Sequence, residues 1–474
     1  MIFPYLFITG LVLLLLLFIL NRAGFVPLSI FKPVPTTVVL WLMILYWVTV
    51  ITYGSVPGIC DVLNTLPIEE SGYEPSYPFR ILFVTFLSGL GLLVGITFVS
   101  MATLGQGSIR AWKQWYSKPL IDSRQARLLE SLFWPGLLVA ILFCLLYVWE
   151  VGGIKRLPFM ILLSGGSYLD IITSREESFK LLDSPLISVY SNLRLFFFPL
   201  WVSLAYLLAR VWHKKRYWVR FGIVFGIGLS YSALSTALSP IGAIFLHLFF
   251  CEVLIQGGNT MRQLQAYVLG VGAIIGILFM FIGLYPDAEL QIGTFVLKIL
   301  NEEIFMKGFD TFNCVSAFTN VYPFQTEEFI GLRGIPRIAN AFDLTGHNIN
   351  NYLYLVLNPN TIVTSGMFNG PWFLYDYVIF SYPATFLGSL VLGLILGSLG
   401  EFFRRRPKDI LLVICFVQSV ASSRYIFDTT LSTWLISKGG IVGMLFYLLI
   451  NILVAVKTDL FRKYKHQGVR NHGH

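Results

Sequence analysis

The sequence predicts an all-α, polytopic integral membrane protein of about eleven transmembrane helices. Three observations carry that fold class. Of 474 residues, 56% are hydrophobic and only 12% are charged, against about 25% charged in soluble domains. The apolar stretches run for about 20 residues without polar–apolar alternation, which matches a bilayer-crossing helix and not a barrel strand. Basic residues gather in short connections of one parity, as the positive-inside rule requires. In lipid every backbone polar group must find its partner within the protein, so helices of this length are the available solution.

The spans are expected at 2–20, 36–53, 82–104, 132–149, 193–208, 219–235, 241–255, 266–284, 378–399, 410–427 and 439–456. The first begins at Met1 with no basic stretch before it and no small-residue cleavage site after it. It therefore reads as a retained helix and not a signal peptide. Ser235–Pro240 is a joint, either a kink or a turn. Trp47, Trp112, Trp115, Trp149, Trp212 and Trp218 lie near span ends, where interfacial aromatics belong.

Charge orients the spans. Arg22 and Lys32 share one parity with Arg110, Lys113, Lys118, Arg124 and Arg127. Arg210, Lys214, Lys215, Arg216, Arg220, Arg262 and the anchor Arg404, Arg405, Arg406 and Lys408 fall on the same side. The opposite set opens with Asp61, Glu69, Glu70 and Glu74. This places the N-terminus outside and the C-terminus in the cytoplasm. The chain then divides into 1–286 (spans, with outer loops 54–79 and 152–191), 287–375 (a large outer segment with interfacial helices), 376–456 (spans) and a basic cytoplasmic tail, 457–474. The formal charge of +9 is explained by these anchors, so no nucleic-acid partner is expected. Cys144, Cys251 and Cys415 fall in spans; Cys60 and Cys314 both fall outside, as a disulfide or as free thiols.

The outer segment 287–375 is too long to be a structureless loop in a compact protein. It reads as the lid and substrate bed of a membrane-embedded site. Within it, Gly331-Leu-Arg-Gly-Ile-Pro-Arg337 sets Arg333 and Arg337 on a turn-rich stretch, where they either grip an anion or are solvated surface charge. His347 and Asp343 are candidate general bases, with Glu327 and Glu328 as competitors. Arg194 and Arg424 lie at the outer ends of apolar helices, where a cation needs a cavity or a partner. Each is read either as a diphosphate clamp or as a local anchor, Arg424 through Asp428 one helical turn on. His247, inside a span, reads as a packed, hydrogen-bonded histidine. No Gly-rich phosphate loop, paired acidic metal motif or Gly-x-Ser-x-Gly elbow is present. No metal or cofactor is therefore expected.

The chain resembles bacterial oligosaccharide repeat-unit polymerases of the O-antigen or enterobacterial-common-antigen type. The resemblance rests on the span plan with a late outer segment, on Asn192-Leu-Arg-Leu-Phe-Phe-Phe-Pro199, on the stretch from Asn350 to Gly366 leading into the Gly-rich span Gly388–Gly400, and on Arg424 in the penultimate helix. Ser235–Gly242 departs from such polymerases by lacking the arginine often found in that turn. The resemblance implies a GT-C-like fold in the bacterial inner membrane. It implies a metal-independent, inverting glycosyltransferase that polymerises polyprenyl-diphosphate-linked repeat units at the outer face. Arg194, Arg333, Arg337 and Arg424 would hold the diphosphate, and His347 or Asp343 would serve as base. The lipid bilayer and lipid-linked glycans are the expected partners, with room for a chain-length regulator protein. An O-antigen ligase-type transferase and a transporter or flippase of lipid-linked glycans are the alternatives. Matching broken helices in two halves would mark the latter.

Overall fold

A computed structural model describes residues 3–29, 32–55, 77–104, 108–121, 124–164, 189–190, 192–234, 238–257 and 370–471, with isolated positions at 170, 173, 174, 177, 259, 261, 262, 264, 265, 268, 270, 315 and 353. Among the described residues the protein is helical and has no strand, only an isolated bridge between Ile121 and Asp409. Helices long and apolar enough to cross a bilayer cover Arg80–Thr103, Arg124–Glu150, Leu193–Trp212, Ser381–Arg404 and Ile410–Asp428. Shorter apolar helices are Ile8–Arg22, Pro35–Thr49, Pro240–Ile255 and Val442–Val456. The protein is thus an all-α membrane protein. The stretch expected to span at 219–235 is helical over Lys215–Ala233 but is not among the crossing helices, and its first turns carry Lys215, Arg216 and Arg220. The expected span at 266–284 lies outside the described residues except at positions 268 and 270.

The chain forms two compact units, and neither is a continuous stretch. One comprises Met1–Gln114, Leu290–Arg404 and Ser422–Gly440; the other comprises Trp115–Glu289, Arg405–Ala421 and Ile441–His474. Each unit gathers stretches that are far apart in the chain. Helices far apart in the chain pack together, and hydropathy along the chain carries no record of that.

The first unit is built on a parallel helix pair. Along the Tyr77–Leu104 helix, Phe83 meets Tyr382 with ring centroids 5.1 Å apart. Further on, Gly91 faces the Phe386 carbonyl and Ser389, Gly95 faces the Leu390 carbonyl, and Gly397 faces Val99. Both helices thus advance in the same direction. Gly91-Leu-Leu-Val-Gly95 and Gly393-Leu-Ile-Leu-Gly397 each place glycines four apart on the contact side. Lipid tails offer no hydrophobic drive to pair helices, so close backbone packing supplies the attraction, and small residues permit it.

The helix Trp372–Arg404 is broken at Ser381 (φ 67°, ψ −159°). Pro383 lacks an N–H and its ring crowds the carbonyl four residues back, which favours a kink or break near this point. Residues before the break fold back on those after it. The Trp372 indole N–H donates to Ser389 Oγ at 3.0 Å, although 17 helical residues would span about 25 Å if straight. Residues 372–375, the end of the expected outer segment, are helical and fully buried at Trp372, Phe373, Leu374 and Tyr375.

In the second unit, Arg124–Glu150 turns an apolar face outward. Leu138, Val139, Leu142, Leu145 and Trp149 are exposed, as lipid contact requires. Its inner face meets Trp201, whose indole N–H donates to the Phe133 carbonyl at 3.1 Å. The expectation for His247 holds. Its ring nitrogens lie 2.7 Å from the Ala243 carbonyl and 2.9 Å from Gln418 Oε1, with both side chains buried. Gly443 allows the Val442–Asn471 helix to approach the Cys415 carbonyl. That helix continues through Asn471, into the stretch read from sequence as a separate tail. Cys144, Cys251 and Cys415 are free thiols, and Cys60 and Cys314 lie outside the described residues.

Candidate functional site

Arg194 stands on a wide turn for a covalent reason. An α-helix through Pro199 would need an N–H there to reach Leu195, and proline has none. The chain instead winds as a π-helix over Leu193–Phe197, and the Phe198 N–H reaches back five residues to the Leu193 carbonyl. Such turns recur at functional sites because they re-aim the side chains before them. The Arg194 guanidinium lies 5.0 Å from the Tyr190 ring centroid. Tyr190 stacks on Tyr147 at 3.8 Å and meets Tyr231 edge-on at 5.3 Å, and Tyr231 packs on Phe198 at 5.1 Å. Tyr147, Tyr190 and Tyr231 are buried. The result is a cation held over a rigid aromatic floor, an arrangement worth about 0.5–2 kcal/mol per cation–π contact.

Arg424 belongs to the other unit. The helix Ile410–Ser422 gives way to a 3-10 helix over Ser423–Asp428, so the α-helical spacing assumed for Arg424 and Asp428 is replaced by a tighter winding. The Trp434 indole donates to the Ser422 carbonyl at 3.0 Å, and Thr430 caps Leu431–Ser437 by accepting the Thr433 N–H at 3.1 Å. Arg424 lies 4.6 Å over the Tyr425 ring and donates to its hydroxyl at 2.7 Å. The Lys438 ammonium lies 5.5 Å from the same ring. Sequence reading passed over Lys438. The signal was available, since this lysine follows the opposite parity from the basic anchors.

Beneath this turn lies an aromatic core. Tyr46 meets Phe373 at 5.1 Å and Phe427 at 6.4 Å, and Trp372 meets Phe427 at 5.2 Å. The folded-back helix and the Arg424 turn are therefore locked together. The same short helix carries Asp376. Its Oδ2 is buried without a hydrogen-bond partner, and it lies so close to Gly388 that a Cβ there would collide with it.

Lys408, which the sequence groups with the basic connection at Arg404–Arg406, is only 2% exposed. Its ammonium donates to the carbonyls of Tyr116 (2.9 Å), Lys118 (3.1 Å) and Leu254 (2.9 Å), with the Trp115 ring centroid 5.4 Å away. Those carbonyls lie at or just past the C-terminal ends of Ser108–Ser117 and Leu238–Ile255, where helices leave acceptors unpaired and carry partial negative charge. An ammonium has three donors and here meets three acceptors. Burial nevertheless pulls its pKa down to about 8.

The structure thus describes Arg194 and Arg424, in separate units, and adds Lys438 beside the latter. Arg333, Arg337, Asp343 and His347 lie outside the described residues. Among the described residues no group of three or more His, Cys, Asp or Glu could hold a metal ion. The arrangement offers cations fixed on tyrosine faces at helix ends, suited to binding an anion without a metal. A search of protein-family models, of curated proteins and of solved structures returns no match to the chain.

Proposed function

We propose that the protein is a GT-C-like glycosyltransferase of the bacterial inner membrane that polymerises polyprenyl-diphosphate-linked repeat units at its outer face, inverting and without a metal. The observation that carries the reading is the pairing of Arg424 and Lys438 on Tyr425 at the end of an apolar helix. Both cations carry N–H donors that one anion can accept, and charge-assisted hydrogen bonds of this kind are about twice as strong as neutral ones. A diphosphate leaving group is such an anion. As the anomeric C–O bond breaks, charge grows on the departing diphosphate, and preorganised donors stabilise it. Arg424 supplies a planar fork and Lys438 a point charge. Arg194, Arg333 and Arg337 are the further arginines that the sequence offers for the diphosphate. Charge parity puts the N-terminus outside, and with Tyr77–Leu104 and Ser381–Arg404 parallel both helices then run inward.

The test is transfer in proteoliposomes loaded with lipid-diphosphate-linked repeat units. R424A and K438A should each lower the polymerisation rate by about 10²–10³, the loss typical of one transition-state donor, with protein level unchanged. R424K should rescue poorly because ammonium lacks the fork. Full-length polymer from R424A would sink the assignment. A transporter of lipid-linked glycans is the second reading, favoured by the helix break at Ser381 close to a buried carboxylate. It predicts movement of the labelled lipid across the bilayer with no new glycosidic bond.

A further inference from the structure

Asp376 is an acidic side chain on the short stretch that folds back before Ser381, and its neighbours Trp372, Phe373, Leu374, Tyr375, Tyr377 and Val378 are buried. Its surroundings are made for a carboxylate but not for a permanent anion. Oδ2 is sealed from solvent and receives no hydrogen bond. It abuts Gly388, and any side chain at 388 would strike it. The residue as a whole is half-buried, with its carboxyl fixed against Gly388. Four residues, about 6 Å of helix, separate it from Trp372. The Trp372 ring meets Phe427, on the 3-10 turn that carries Arg424.

We propose that Asp376 is the proton acceptor of the transfer, the group that deprotonates the attacking sugar hydroxyl. The inference rests on the transferase reading and adds a base that the sequence had sought in His347 or Asp343. In the step, the acceptor hydroxyl oxygen forms a bond to the donor's anomeric carbon, and its proton passes to Asp376. The bond from that carbon to the diphosphate oxygen breaks, and the electron pair leaves on the diphosphate beside Arg424 and Lys438. The proton on Asp376 is later released to water. No oxidant, metal or co-reactant is needed.

The helix Trp372–Phe380 lies outside the span Ser381–Arg404, and burial alone raises the Asp376 pKa. Titratable or charged groups on the surrounding elements are Tyr46, Arg80, Tyr375, Tyr377, Tyr382, Arg424, Tyr425, Asp428 and Lys438. None of them is a cause of that shift. A base works when deprotonated, so a raised pKa moves the ascending limb of the rate profile upward, toward neutral pH.

The experiment measures transfer against pH for the full-length protein in phosphatidylethanolamine–phosphatidylglycerol vesicles, together with binding of undecaprenyl diphosphate. D376N should lose about 10²–10⁴ in rate, keep undecaprenyl diphosphate binding, and show a residual rate that no longer climbs with pH. D376E, which restores a carboxylate, should recover part of the rate with a displaced midpoint. D376N at the wild-type rate, with an unchanged pH profile, overturns the assignment alone. So does a D376N variant that loses undecaprenyl diphosphate binding along with transfer, since that marks a structural role. Wild-type protein that forms no glycosidic bond overturns the transferase reading and this assignment with it.

Discussion

Alanine at Gly95 tests whether backbone contact holds the parallel helix pair together. A Cβ at this position would overlap the Leu390 carbonyl oxygen and lie 2.8 Å from the Leu394 nitrogen and 3.0 Å from the Gly393 carbonyl carbon. All of these are backbone atoms, so no rotamer change can make room. The helices must part by about 0.5–1 Å, which forfeits a quarter to a half of the attraction of each atom pair along the seam. Overpacking of this kind costs about 1–3 kcal/mol. The same substitution also removes a glycine from a helix, a gain of up to about 1 kcal/mol. Gly226 isolates that gain, because a Cβ there meets nothing within 4 Å. We expect G226A to hold or raise the stability of purified protein in detergent and G95A to fall about 1–3 kcal/mol below it. Adding G393A to G95A should cost less than the sum, since both act on one seam already forced apart. Thermal unfolding or reversible SDS denaturation reads the difference. G95A unfolding together with G226A would refute a backbone-to-backbone interface.

The Lys408 cage predicts a pH dependence of stability. The folded pKa, about 8, lies below the 10.5 of a free lysine side chain, so the unfolded chain holds the extra proton between those values. Stability from this group should therefore rise as pH increases from about 8 to 10.5, and a K408Q variant should flatten that rise in melting temperature measured against pH. Gln418→Leu should strand the His247 Nε2 inside the second unit and lower stability by about 1–3 kcal/mol. An unchanged melting temperature for Q418L would show that the His247–Gln418 bond contributes nothing.

Much of the site was legible only in part. Arg194 stood out because the sequence showed an arginine followed by aromatics and Pro199, and the missing N–H at that proline is what opens the π turn. Arg424 stood out because a cation at the end of an apolar helix needs a reason. Lys438 obeyed the same logic and was overlooked, since its partner ring belongs to Tyr425, thirteen positions earlier. The break at Ser381 had a local cause, Pro383, yet the sequence did not indicate that the preceding turns would fold back and bury Asp376. The burial of Lys408 was not legible because charge parity counts lysines without knowing whether three helix-end carbonyls lie around them.

What the sequence alone determined was the solvent of the chain and its secondary structure. Apolar run length and sparse charge are local quantities, and in lipid they admit only helices. Tertiary structure decided which helices touch: Gly91 and Gly95 on the backbone near Gly393, Lys408 inside a carbonyl cage, and Asp376 pressed onto Gly388. Each of these depends on atoms brought within a few ångströms of one another from distant or folded-back segments, and composition and periodicity carry no term for that distance.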